Sequence, residues 1–315
     1  MKITTIGEIL VDLTQEQLDA SGIRHFAAYP GGAPANVAVA ASRLGCEAGF
    51  IGCVGDDSFG EMLRSTLLQE KVDCSALMCS EHSNTTLAVV TVDGTGERTF
   101  SFYRKPGADT QMDVMKTLGA VKSLEGILHF GSVSLSVEPS RSVVLAAVAQ
   151  ARKQGMIITY DPNFRAPLWT HEETPELVIR EPLPMVDILK ISDEETRLLS
   201  GEADPEGAAQ KLCAQGVRLV LVTLGARGVL WCHNGRCGHV EGFKVKVADT
   251  NGAGDTFFGA FLSRVAERGG LDAMEDAELQ DMLRFANAAA AVTTSRHGAI
   301  PAMPTAEEVR RMLNR

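Results

Sequence analysis

The chain has 315 residues, 45% of them hydrophobic and 22% charged, enough to bury about three-quarters of the unfolded surface in one or two domains. Its 40 acidic against 30 basic residues leave a formal charge of −10, which argues against nucleic acid or an anionic membrane as principal partner. No apolar run reaches the length of a membrane span, the N-terminus lacks the features of a signal peptide, and the seven scattered cysteines suit reduced thiols. The expected location is therefore cytoplasmic.

Residues 2–7 read as a first strand, and the apolar run Ile9-Leu10-Val11 leads into Asp12. Residues 13–29 are polar and irregular, with strand character only around Phe26 to Tyr29. Gly31-Gly32 predicts a tight turn, and residues 35–44 a helix stopped by Gly45. Asn36 in its first turn can cap the helix or bond a ligand hydroxyl. A short buried strand is expected over 50–54 and a helix from Asp57-Ser58 to residue 70.

Two alternating runs, 85–92 and 98–103, flank Asp93-Gly-Thr-Gly-Glu and predict a β-hairpin. Phe100, Phe102 and Arg104 share a face by period two, so Arg104 belongs either to a site wall or to a solvent edge. Strands at 126–130, 156–160, 186–191 and 218–224 then alternate with helices at 139–153, 173–180, 192–199 and 205–215. Cys232-His233 and Cys237-Gly-His239 invite a zinc reading, but their alternation about Asn234-Gly235 fits a hairpin better. A helix after Gly252 and an Ala-rich helix over 277–294 complete the chain. With no repeat or linker, the pattern predicts a single α/β domain over residues 1–315 with a parallel, doubly wound sheet.

The chemistry centres on Asp249-Thr-Asn-Gly-Ala-Gly-Asp255, which runs into the amphipathic pattern Phe257, Phe258, Phe261, Leu262, Val265. Gly252, Ala253 and Gly254 thus sit at a helix start, where unpaired amides and the helix dipole attract an anion. Asp255 beside them is either the base for an attacking hydroxyl or a helix cap, and the dipole is expected to hold its pKa low. Other polar residues gather at the C-terminal ends of predicted strands, the edge where open α/β sheets bind ligands: Asp12, Asp161, Asn163, Arg165, Lys190 and Thr223 among them. Lys190 also reads as a surface lysine and Asp161 as a turn residue, whereas Asn287 in its Ala-rich helix needs partners if buried.

Asp249-Thr-Asn-Gly-Ala-Gly-Asp255 and Pro30-Gly-Gly-Ala-Pro-Ala-Asn-Val-Ala38 resemble the two signatures of the ribokinase-like (PfkB) family of sugar kinases, in the family's order. Segments ending at Asp12, Asp109, Arg165 and Gly228 are similar to its fructokinase branch, and the resemblance spans nearly the whole chain. It implies a three-layer α/β/α sheet with a small β lid from about 13–31 and 85–104. The implied activity is ATP-dependent phosphorylation of a sugar hydroxyl, fructose to fructose 6-phosphate, with 2-keto-3-deoxygluconate, ribose or a nucleoside as the alternative substrate.

By the same resemblance Asp255 is the base, Gly252, Ala253 and Gly254 the anion hole, and Arg165 lies at the phosphates. Asp12, Gly31, Gly32, Asn36, Phe102, Arg104 and Asp161 face the sugar. Asn163, Lys190, Thr223, Gly225, Gly228 and Asn287 surround ATP. Glu195 stands near Mg²⁺, although Ser192 replaces the asparagine of the family's Asn-x-x-Glu. Asp249, Asn251 and backbone near Gly298 could ligate a monovalent cation such as K⁺, and a homodimer is expected. A dinucleotide oxidoreductase is a poor rival, because no Gly-x-Gly-x-x-Gly follows the first strand and no Walker motif occurs.

Overall fold

The computed structural model describes residues 1–16, 21–92, 98–169 and 174–314. The predicted hairpin turn at 93–97 and the start of the predicted helix at residue 173 lie outside the described residues, as do positions 17–20 of the polar stretch. The first half of the chain contains β1 (Ile3–Ile6), β2 (Leu10–Gln15), β3 (Phe26–Gly31), α1 (Ala33–Arg43), β4 (Ala48–Gly55), α2 (Ser58–Gln69), β5 (Asp73–Ser80), β6 (Leu87–Val92) and β7 (Arg98–Tyr103). Next come α3 (Val114–Lys122), β8 (Ile127–Gly131), α4 (Ser140–Lys153), β9 (Ile157–Asp161), α5 (Pro175–Arg180), β10 (Ile188–Ser192), α6 (Thr196–Ser200) and α7 (Pro205–Ala214). The last part holds β11 (Leu219–Thr223), β12 (Val229–His233), β13 (Arg236–Val240), α8 (Ala253–Arg268), α9 (Asp276–Thr294) and α10 (Ala306–Leu313).

Nine strands form the main sheet in the order β13-β12-β11-β10-β9-β8-β1-β4-β5, parallel from β11 to β5 and antiparallel at the β11–β12 and β12–β13 pairings. Alternate side chains feed two apolar layers, as period two dictates. Ile6, Leu128, Ile158, Leu189 and Val220 pack with α4, α5 and α7 on one face. Ile3, Ile127, Ile188 and Leu219 pack with α1, α8 and α9 on the other. The fold is therefore the expected three-layer α/β/α arrangement.

A second sheet, β3-β2-β6-β7, is antiparallel except where β2 runs parallel to β6. Its β2 continues through residues expected to be irregular, because Asp12 and Thr14 give it one polar face and hide the apolar signal. Edge strand β5, in which all residues but Cys74 are exposed or partly so, and the short helices α3 and α10 likewise go beyond the sequence reading. Cys232 and Cys237 stand opposite each other across β12–β13 and are joined in a disulfide, a correction to the expectation of reduced thiols throughout. Asn234 and Gly235, both at positive φ, make the turn that brings them into register.

Helices α1 and α8 cross closely because Gly259 has no side chain. A Cβ there would lie 2.7 Å from the Ala40 Cβ and 2.8 Å from the Val37 carbonyl. We predict that Gly259→Val forces the two helices apart and costs about 1–3 kcal/mol, as overpacking does, seen as a lower urea midpoint. An unchanged midpoint would show that this crossing tolerates expansion.

Candidate active site

The chain runs from β1 to β4 and β5 on one side and returns to β8, β9, β10 and β11 on the other. The strand order thus reverses between β1 and β8. At such a switch point the outgoing loops diverge at the C-terminal edge and leave a crevice. A cavity of about 610 Å³ opens there. Glu8 follows β1, Lys190 comes from β10, and Gly252, Gly254 and Asp255 form the mouth of α8. The small sheet closes the other side with Asp12, Ala88, Val90 and Phe102. Two more open depressions, of about 810 and 820 Å³, contain none of the predicted site residues.

Both glycines of the mouth have a physical reason. Gly252 turns the chain into α8 at φ 71°, and a Cβ on it would lie 2.8 Å from that of Ala299. A Cβ on Gly254 would lie 3.0 Å from the Lys190 Nζ. The Gly254 and Asp255 amides belong to the first helical turn, whose N–H groups have no intrahelical acceptor. Gly31 and Gly32 are equally constrained: a Cβ would come 2.5 Å from Asp12 Oδ2 in the first and 2.6 Å from the Glu8 carbonyl in the second, where φ is 105°.

Asp255 is 7% exposed, and Asn36 Nδ2 donates a 2.8 Å hydrogen bond to its Oδ2. Burial raises its pKa to about 6; the Asn36 bond, Lys190 and Arg165 pull it down, and Asp161 adds to the rise. The low value expected from the helix dipole is thus overturned by desolvation. Asp12 also reaches about 6, raised by burial against a hydrogen bond from Asn251 and the charge of Arg165. Two carboxyl groups poised near neutrality in one cavity suit proton transfer.

Lys190 Nζ donates to Asp161 Oδ2 at 2.8 Å, the side chains being 7% and 2% exposed. Burial disfavours the ammonium, but Asp161, Glu195 and Asp255 outweigh it and raise its pKa, so the lysine stays charged. Asp161 lies behind Lys190 rather than in the cavity wall. Arg165 is exposed, and it and Asn163, at φ 45°, line the cavity. Glu195 accepts from the Phe164 amide at 2.7 Å and from Ser192 N and Oγ at 2.9 and 3.1 Å, so it clamps the loop after β9 to the end of β10. Asp249 accepts from the amides of Asn251 and Gly298 at 3.1 and 3.2 Å, bringing these three together at the cavity edge.

Thr223, Gly225, Gly228 and Asn287 form a second group outside that cavity, along the next strands of the sheet. Thr223 pairs in register with Ser192. Gly225 and Gly228 have φ of 59° and 94°, and a Cβ on Gly228 would collide with the Val240 carbonyl. Asn287 donates to the carbonyls of Val240 and Glu241 at 3.1 and 3.0 Å. Arg104 stands apart from both groups, buried against Asp109 at 2.7 Å.

Glu8 escaped the sequence reading although it lines the cavity. Its Oε1 accepts from the Ala33 amide at 3.2 Å and its Oε2 from Ser134 Oγ at 3.1 Å. Its one signal was an acid set between the apolar residues of two consecutive strands.

The model of the pfkB family of carbohydrate kinases matches residues 1–306. Probable fructokinase-4 of Arabidopsis thaliana is 41% identical over 317 residues, covering 99% of this chain and 96% of that protein. Fructokinase of Xylella fastidiosa, solved with bound ATP, superposes with a TM-score of 0.90 at 34% identity, over 99% of this chain and 98% of that one. Fructokinase of Vibrio cholerae O395, solved in a fructose, ADP and calcium ion bound form, gives 0.89 at 34% identity over the same shares. The glycine-framed mouth of α8 lies on a scaffold shared from end to end with these enzymes, and the chain belongs to the pfkB family of carbohydrate kinases.

Proposed function

We propose that this protein transfers the γ-phosphoryl group of ATP to a hydroxyl of D-fructose, giving fructose 6-phosphate and ADP. The observation that carries this reading is the buried Asp255 at the mouth of α8, held by Asn36 in a cavity that also contains Asp12. The fructokinases with which the chain aligns over nearly its whole length support the choice of sugar.

The sugar occupies the cavity, against Asp12, the Gly31-Gly32 backbone, Asn36 and Phe102. ATP extends over the second group, Thr223, Gly225, Gly228 and Asn287, with its phosphates near Lys190, Asn163 and Arg165. The sugar oxygen attacks the γ-phosphorus as the bond to the ADP oxygen breaks, and the hydroxyl proton passes to Asp255. A loose transition state lets a carboxylate of moderate basicity orient the hydroxyl and take its proton late. The amides around Gly252–Gly254 and the charges of Lys190 and Arg165 stabilise the transferring group. The small sheet is the lid over the sugar, limiting the access of water to the phosphoryl group.

Among the described residues no three His, Cys, Asp or Glu side chains gather as a metal cage. That suits Mg²⁺, which is held largely by phosphate oxygens and water. Asp161, whose Oδ1 is buried without a partner, and Glu195 are the carboxylates on that side. Bound there, the ion neutralises triphosphate charge. Asp249, Asn251 and the Gly298 backbone offer oxygens for a monovalent cation such as K⁺. A homodimer fits the same reading, since Phe26 and Tyr103 of the small sheet are 40% and 66% exposed, and the enzyme so read is cytoplasmic.

Pairing of Arg104 with Asp109 takes that arginine out of the sugar cavity, whose lining keeps Arg165 and Lys190 as its cations. Turnover measured as ADP release across ketoses, aldoses, nucleosides and sugar acids tests the reading. Fructose should give the highest kcat/KM, and a nucleoside or sugar acid preferred tenfold or more would overturn it. Activity should also fall as pH drops through about 6, since Asp255 and Asp12 must both be ionised. The acid limb of log kcat/KM should be steeper than one proton, and Asp12→Asn should reduce its slope to one. A limb absent down to about pH 5 would contradict these roles.

A further inference from the structure

We infer that Asp109 is a positioning residue for the reaction: its carboxylate pins both roots of the β6–β7 hairpin to the main sheet and so holds Phe102 in the sugar cavity. This rests on the kinase reading above. Thr86 immediately precedes β6 and Arg104 immediately follows β7. Thr86 Oγ1 donates to Asp109 Oδ1, and Arg104 Nε donates to Oδ2 at 2.7 Å. One carboxylate therefore receives both ends of the hairpin. Asp109 is fully buried, and the Arg104 side chain is 5% exposed.

The rest of the guanidinium reaches the main sheet. Nη1 donates to Ser136 Oγ at 2.9 Å and Nη2 to the Val133 carbonyl at 3.2 Å, in the turn that follows β8. Val133 lines the cavity, as does Phe102 two residues before Arg104. The Thr86 carbonyl accepts from the Val11 amide at 3.0 Å, which ties β2 and its Asp12 to the same point. Packing leaves no slack: a Cβ on Gly107 would overlap Thr86 Oγ1 and lie 2.7 Å from Asp109 Oδ1 and 2.9 Å from Arg104 Cγ. Glu8 feels both charges of the pair from the cavity side, and its pKa, raised to about 7 first by burial, is pushed up by Asp109 and down by Arg104.

A buried ion pair is poor evidence for stability, since an apolar pair of similar volume often serves the fold as well. What it supplies here is directional: three fixed N–H vectors and one shared carboxylate set the angle at which the hairpin leaves the core. The pair explains why Arg104 continues the aromatic face of β7 without reaching the cavity.

The test uses the full chain with Asp109→Asn and, as milder probes, Thr86→Val and Thr86→Ser. Hydrogen–deuterium exchange of the β6 and β7 amides is read without ligands, and steady-state constants are read with the sugar the wild-type protein phosphorylates best. Asp109→Asn and Thr86→Val should speed hairpin exchange at least fivefold. They should raise KM for the sugar by a similar factor, leave KM for ATP within twofold, and increase ADP release in the absence of sugar. Thr86→Ser, which keeps the hydroxyl, should restore wild-type values. If Asp109→Asn does not fold, the Val and Ser variants carry the comparison. Unchanged exchange, or equal rises in KM for sugar and ATP, would overturn the inference. A wild-type protein that turns over no sugar instead sinks the kinase reading, and the exchange rates then decide the pinning alone.

Discussion

An ionised carboxylate kept nearly dry at a helix mouth is the constraint on which the site depends. Asp255 can be held there because Asn36 donates to it across the α1–α8 crossing at 2.8 Å, and because first-turn amides and two cations lie close by. Each feature has a cost elsewhere. Gly259 surrenders a side chain so that α1 and α8 approach, Gly252 adopts a left-handed backbone, and Gly254 makes room for Lys190. Desolvation then wins over the helix dipole and leaves the carboxyl near neutrality.

The same economy governs the charges around it. Lys190 stays cationic in the interior because Asp161 behind it, with Glu195 and Asp255, outweighs the cost of burial, and Glu195 spends its oxygens on two strand-end loops. These acids do not face the cavity; they keep the groups that do face it in one geometry. Apart from Arg104, Asp161 and Glu195, the predicted site residues accordingly gather in a cavity group under the small sheet, which includes the mouth of α8, and a second group from the end of β11 onward.

Much of this was legible in the chain. Strand–helix alternation showed the parallel sheet, since strands buried on both faces read as apolar runs; Asp12 and Lys190 were marked by the ends of predicted strands, and Asp255 by the glycines at a helix start. What escaped has specific causes. The polar face of β2 lines a cavity, which concealed a strand. Period two put Arg104 on the face of Phe102, but β7 ends at Tyr103 and the guanidinium turns to Asp109. Glu8 depends on Ser134 far along the chain, and Asp109 on a turn that brings Thr86 and Arg104 to one carboxylate, and no periodicity encodes either contact. The Cys232–Cys237 pair needed the register of β12 on β13, which the Asn234-Gly235 turn implies only once the hairpin is built.

The central claim is that Asp255 accepts the proton of the attacking hydroxyl, and single-turnover kinetics of Asp255→Asn test it most directly. The amide oxygen of the new side chain can still accept from Asn36, so folding and the binding of both substrates should persist. The rate of the chemical step should then fall by about three powers of ten or more. A loss of tenfold or less would leave Asp255 as a capping residue and contradict the account.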